Sequence, residues 1–233
     1  MDALKLTPGG METDTLVREA VCRLALFHGL SEAALEKVAN MSRIRQVPKG
    51  SMIFFKNDPA DALYIVCSGS VAILLNSPDG RELVIREVRE GDIFGEISLI
   101  LEKPRSAAAV AREKCDLMIL PAALFQDIVA GEPAFARSML GMISELVYQS
   151  VERESALAFL DAPARLARVL LQLDQQVNSG SIVISQEELA QRTGLSRQTA
   201  SKFLGRWRRA GWLITGRGRI VLLNHSALQR VEQ

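Results

Sequence analysis

Cysteine, histidine and aromatic side chains are scarce in this chain, and each shortage removes a class of chemistry. Three cysteines, Cys22, Cys67 and Cys115, are scattered over 233 residues, an odd set from which no disulfide framework or paired metal motif can be read. A cluster held by four thiolates is excluded by count alone. The two histidines, His28 and His225, stand near opposite ends. No nucleophile is matched to a base, no metal-ligand cluster occurs and no Walker-type loop is present, so catalysis has no support. There is no run of about eighteen apolar residues and no basic segment leading into an apolar one at the N-terminus, so neither membrane insertion nor secretion is expected and a cytoplasmic location is.

What is present is a 48 % hydrophobic composition, enough for two compact domains with real cores. The net charge of +1 hides a split. Residues 1–184 hold 19 Lys and Arg against 24 Asp and Glu, whereas residues 185–223 hold 8 against 2. An acidic module joined to a basic one points to a polyanion as partner of the second.

After a polar leader, Met1 to Met11, apolar spacing predicts a helix over Leu16 to Phe27 and another over Glu32 to Met41, capped by Ser31. Between Ile44 and Leu120 the rhythm shortens to β-branched runs: Leu63 to Cys67, Val71 to Leu75, Leu83 to Val88 and Leu117 to Leu120. Turn clusters at Pro48-Lys49-Gly50, Ser68-Gly69-Ser70, Ser77-Pro78-Asp79-Gly80 and Glu90-Gly91-Asp92 separate them, which predicts an antiparallel sandwich or roll. Helical periodicity returns at Pro121, breaks near Gly131-Glu132-Pro133, and then supports one long helix from about Ala134 to Leu160. Met139, Ile143, Leu146, Ser150, Arg153, Leu157 and Leu160 form a heptad-like seam along it, a face for its own domain or for a second copy. Asp161-Ala162-Pro163 reads as a hinge, with Asp161 as the cap of the next helix.

The segment from Gly91 to Val110 orders its polar groups like a phosphate trap. Gly95 lets backbone approach a ligand, Glu96 is an acceptor for a ribose hydroxyl, and Arg105 with Ser106 offers a planar fork and a hydroxyl to a phosphate. In order and spacing, Phe94-Gly95-Glu96, the intervening Ile97 and Ser98, and Pro104-Arg105-Ser106-Ala107 resemble the phosphate-binding cassette of cyclic-nucleotide-binding domains. The placement of Gly50, Gly69, Gly80, Gly91 and Gly95 resembles that of the β-roll of the same domains.

In the basic tail, Ser185-Gln186-Glu187-Glu188 is a capping box opening a short helix to Arg192. Thr193-Gly194-Leu195 breaks it, and Ser196 caps a second helix to about Arg209. Arg197, Gln198, Ser201 and Lys202 share its polar face, suited to a major groove. Gly211 to Leu223 then reads as a hairpin whose tip carries Arg217 and Arg219. Arg206, Arg208 and Arg209 contact phosphates or simply remain solvated, and Trp207 and Trp212 are expected as core anchors. This helix-turn-helix and wing resemble the DNA-binding domain of Crp-Fnr regulators, which makes the resemblance nearly chain-wide.

The resemblance implies an α+β architecture: a cyclic-nucleotide-binding β-roll (jelly roll) with N-terminal helices over residues 1–132, a dimerisation helix and hinge over 133–161, and a winged helix-turn-helix over 162–233. It implies cyclic AMP, or cyclic GMP, as allosteric effector, held by Gly95, Glu96, Ile97, Ser98, Arg105, Ser106 and Ser150. It also implies a homodimer on near-palindromic double-stranded DNA, contacted by Ser196, Arg197, Gln198, Ser201, Lys202, Arg217 and Arg219, with RNA polymerase as partner. No metal, haem or iron-sulfur cluster is expected: His28 precedes the roll and His225 follows the wing, leaving no axial ligand for haem. Three departures stand out. Val151 replaces a second hydroxyl beside Ser150, Gln198 stands where many relatives have glutamate, and Lys202 where they have arginine. A regulator that is constitutively active or answers another signal therefore stays open, as does a nucleotide-binding module whose basic tail meets a protein.

Overall fold

The computed structural model describes Val17, Leu24–Ser77, Glu82–Gln175, Val177 and Gly180–Glu232. Most of the helix expected over Leu16 to Phe27, the leader, and part of the turn at Ser77-Pro78-Asp79-Gly80 lie outside the described residues; Ala25–Phe27 is a 3-10 turn. Helix α1, Glu32–Met41, begins as expected, with the Ser31 hydroxyl accepting from the Ala34 amide at 3.3 Å.

Eight strands follow: β1 Arg43–Val47, β2 Met52–Phe54, β3 Ala62–Ser68, β4 Ser70–Asn76, β5 Glu82–Arg89, β6 Ile93–Phe94, β7 Ala108–Ala111 and β8 Cys115–Pro121. The short helix α2, Glu96–Ile100, interrupts them between β6 and β7. They form two four-stranded sheets, in the orders β1-β8-β3-β6 and β2-β7-β4-β5. Strand β3 reads as a continuous apolar run because both of its faces are covered. Leu63 and Ile65 face one cluster with Phe27, Val38, Phe125, Phe135 and Met139, while Ala62, Tyr64 and Val66 face the inter-sheet core with Phe54, Phe94 and Leu117. The expected strands thus appear, each a residue or two longer at its ends than periodicity alone suggested.

Helix α3, Ala122–Gly131, and the long helix α4, Pro133–Phe159, come next. The break between them is where Gly131-Glu132-Pro133 placed it. The seam needs correction. Met139 is buried and Ile143 half-buried against the roll's own outer core, so the N-terminal part of that stripe is used within the chain. The exposed apolar residues include Leu140, Val147 and Val151, at 66 %, 58 % and 54 % exposure and each one residue on from a seam position, and Leu157, which lies on the seam itself. Spacing reveals that a helix has an apolar face; it does not reveal which of two adjacent faces its own domain takes.

The chain divides into two compact units, one of residues up to Leu74 with Arg86–Ser144, the other of Leu75–Ile85 with Glu145–Gln233. This division cuts α4 at Ser144 rather than at its ends. In the second unit α5, Ala162–Gln175, is capped by Asp161, whose Oδ1 accepts from the Ala164 amide at 3.0 Å. Then come β9 Ile182–Val183, α6 Gln186–Thr193, α7 Arg197–Arg209, β10 Leu213–Gly216, β11 Arg219–Leu222 and α8 His225–Glu232. The three strands pair in the order β10-β11-β9. Their common core holds Leu166, Leu170, Leu189, Ala200, Leu204, Trp207 and Ile220. Helix α8 was not anticipated, since its few apolar residues are spread over less than three turns; Leu228 nonetheless sits in this core.

Candidate functional site

The cassette is built around one arginine. Arg105 is 1 % exposed, the bulkiest of the fully buried side chains. Its Nη1 donates to the Gly95 carbonyl at 3.0 Å, and its Nη2 to the Ala62 carbonyl at 2.7 Å and to Asp61 Oδ1 at 3.1 Å. The guanidinium plane rides over Phe54 at 4.4 Å and Tyr64 at 5.4 Å, rings that pack with each other and with Phe94. Its backbone is pinned as well: the Arg105 amide donates to Asp58 and its carbonyl accepts from Asn57. One of its three nitrogens is left without a partner. Nε is buried with no hydrogen-bond partner, a condition that buried polar groups rarely keep without an acceptor nearby.

Gly95 is required at the head of α2. Its φ is +86°, and a Cβ there would lie 2.5 Å from Arg105 Nη1. Glu96 follows at 2 % exposure. Burial pushes its carboxyl above the ordinary range, against the opposing pull first of Arg86, whose Nη1 is 3.4 Å from Oε1, and further of Arg105. The structure thus brings Gly95, Glu96 and Arg105 together. Ser106 is exposed beside them, Ile97 is exposed on α2 and Ser98 is buried. Ser150 is exposed on α4 and belongs to the other compact unit, as does its neighbour Val151.

Sequence reasoning did not find Phe54, Asp61, Ala62, Tyr64 or Arg86. The first four act from strands and turns about forty to fifty residues before Arg105, and the Ala62 contribution is a carbonyl that any residue carries. In the sequence Phe94 reads only as the head of the cassette motif, and Phe54 and Tyr64 are not singled out at all. Arg86 shares its phase of β5 with the buried Val84 and Val88, and a charged residue between two inward valines is the signal that could have found it.

The second candidate surface is the polar face of α7. Ser185 caps α6 through the Glu188 amide, Gly194 ends it at φ +67°, and Ser196 caps α7 through the Thr199 amide at 3.1 Å. The Ser196 hydroxyl is therefore engaged, with Thr199 Oγ1 as a further partner at 2.8 Å. Arg197, Gln198, Ser201 and Lys202 all stand exposed on one concave face of about 810 Å³, with Gln186 and Arg208 at its margins. Arg217 and Arg219 are exposed at the turn between β10 and β11. Arg206 and Arg209 are exposed, and Arg208 Nη1 reaches Thr215 Oγ1 at 3.5 Å, tying α7 to the wing. Trp207 is buried and Trp212 stacks on it with centroids 6.3 Å apart, the core role expected of both.

Among the described residues no group of three or more His, Cys, Asp and Glu converges on a common point, and no helix is long and apolar enough to cross a membrane. Burial raises the thiols of Cys67 and Cys115 above their ordinary value, which leaves little reactive thiolate.

An arginine cassette in a double-sheet roll, followed by a capped helix-turn-helix and wing, defines a DNA-binding regulator with a nucleotide-binding domain. Residues 44–132 match the cyclic nucleotide-binding domain family, and residues 164–231 the Crp-like helix-turn-helix domain family. A cyclic AMP receptor protein of Thermus thermophilus is 30 % identical over 206 residues, covering 88 % of this chain and 95 % of that one. A CRP-like cAMP-activated global transcriptional regulator of Mycobacterium tuberculosis is 29 % identical over 215 residues, covering 89 % and 96 %. Among solved structures, the c-di-GMP responsive regulator CLP of Xanthomonas campestris superposes with a TM-score of 0.75 at 27 % identity, covering 82 % of this chain and 99 % of that one. The chain belongs to the Crp-Fnr superfamily of transcription regulators, which are not enzymes.

Proposed function

We propose that this chain is a homodimeric, cytoplasmic transcription regulator whose roll binds cyclic AMP, or failing that cyclic GMP, and thereby controls how its paired helix-turn-helix units meet DNA. The observation that carries the ligand reading is the buried Arg105, with its unpartnered Nε beside the Cβ-free backbone of Gly95. These residues fit a cyclic phosphate. Arg105 and Ser106 hold the anion, Glu96 accepts from the ribose, and Ser150 is the hydroxyl that the family resemblance assigns to the base. A bound cyclic nucleotide would supply an acceptor oxygen for the Arg105 Nε that no group of the protein satisfies.

The DNA reading rests on the exposed quartet Arg197, Gln198, Ser201 and Lys202 at the start of a capped helix. Arg197 suits guanine N7 and O6, and Gln198 suits adenine, whereas glutamate would accept from cytosine. The half-site therefore differs from that of relatives with glutamate and arginine at these positions. The homodimer reading rests on the bare stripe Leu140, Val147 and Val151. A dimer implies a near-palindromic operator with half-sites about one helical turn apart. RNA polymerase is the expected partner on DNA.

Calorimetric titration with cyclic AMP and then cyclic GMP tests the effector. Saturation near one nucleotide per chain supports the reading. Silence with both favours a second one, a regulator that is constitutively active or answers another signal. Two observations favour that alternative: Val151 beside Ser150, and the engagement of both Arg105 Nη groups by the protein itself.

A further inference from the structure

Arg86 lies outside the cassette pattern altogether. It projects from β5, ten residues before Glu96, and brings Nη1 to 3.4 Å from Glu96 Oε1. Its side chain is 18 % exposed, that of Glu96 only 3 %. Glu96 thus sits in a pocket from which water is nearly excluded, with burial driving it towards its neutral form.

The charged groups that face this carboxyl are Arg86 from β5 and Arg105 from the segment after α2. Arg105 is the weaker of the two, and its Nη groups are occupied by Gly95, Ala62 and Asp61. Glu96 is the one hydrogen-bond and ion-pair partner of Arg86 among the described residues. An ionised carboxylate held at Oε1 presents Oε2 as a pure acceptor. A neutral carboxyl becomes a donor and is free to turn.

Resting on the reading that the roll takes a cyclic nucleotide, we propose that Arg86 is a positioning residue. It fixes the Glu96 carboxylate as acceptor for the ribose 2′-hydroxyl, and so sets how strongly this chain prefers a ribonucleotide over its 2′-deoxy analogue.

The test is a calorimetric comparison of wild type, Arg86→Met and Arg86→Lys, each titrated with cyclic AMP, 2′-deoxy cyclic AMP and cyclic GMP, after thermal melts establish that all three fold. Wild type should prefer the ribonucleotide by about tenfold to a hundredfold, the worth of one hydrogen bond to a charged acceptor. Arg86→Met should reduce that preference to about threefold or less, through loss of affinity for cyclic AMP alone, and Arg86→Lys should restore most of it. The preference remaining in Arg86→Met should also fade in mildly acidic buffer, where wild type still discriminates.

Three results overturn the inference while leaving nucleotide binding intact. Arg86→Met keeps the wild-type preference; it loses both ligands equally, which marks a packing role; or it changes the ratio of cyclic AMP to cyclic GMP, which marks a base contact. A wild type that binds neither nucleotide overturns the underlying reading and this inference with it.

Discussion

Arg105 carries two duties that pull against each other at the scale of a single residue. It closes the cassette against Gly95, Ala62 and Asp61, and it keeps one buried donor for an acceptor. Arg105→Ala should accordingly abolish nucleotide binding and also lower the melting temperature, because the buried Ala62 carbonyl and the part-buried Gly95 carbonyl lose their donors, at a cost of about 1–3 kcal/mol for a buried one. Arg105→Lys keeps a charge but not the fork, and should recover stability more than affinity. Calorimetry beside thermal melts separates the two effects. Gly95→Ala is expected to cost about 1–3 kcal/mol from φ strain, before the clash with Arg105 is counted. Glu96 is the reverse case. Its carboxyl is raised by burial, so the folded state favours the protonated form; that contribution is present below the ordinary value and is lost as pH rises through the raised one. Glu96→Gln should therefore melt higher than wild type at neutral pH, with the gap closing as the medium is acidified, while losing about tenfold or more in affinity for cyclic AMP.

Among elements, α7 is the one whose start decides what it reads. Ser196→Ala removes the cap and should destabilise the second unit by about 1 kcal/mol, measurable in a melt, with proportionate loss on all DNA. Arg197→Ala should instead lose about 1–3 kcal/mol on its preferred operator and little on random duplex, measured by paired titrations at one salt concentration. Equal losses on both would make Arg197 a phosphate contact. The elements are also where the sequence was most legible. Ser31, Ser185, Ser196, Asp161 and Gly194 announced their helix ends because capping is local: donor and acceptor lie within four residues. Gly95, Glu96 and Arg105 were legible for a similar reason, since the cassette is one short stretch of chain. The floor of the site was not, because Asp61, Ala62 and Tyr64 reach Arg105 only after β3 pairs with β6 and β8, and Phe54 only after β2 pairs with β7. No local pattern encodes that pairing.

For the whole molecule, the long helix is the element whose two faces have different fates. Its first turns bury Phe135 and Met139 in the roll, and its stripe at Leu140, Val147 and Val151 is left bare, the face that the proposed homodimer would use. Val147→Asp should yield monomers by sedimentation and weaken operator binding steeply, without disturbing the roll's core. The chain has only two tryptophans, Trp207 and Trp212, stacked on each other at the end of α7, while the cassette is lined by Phe54, Tyr64 and Phe94. Indole emission is thus silent about the cassette itself and speaks only for the winged domain. A change in tryptophan fluorescence on adding a cyclic nucleotide would be a label-free record of the signal arriving rather than of the ligand binding.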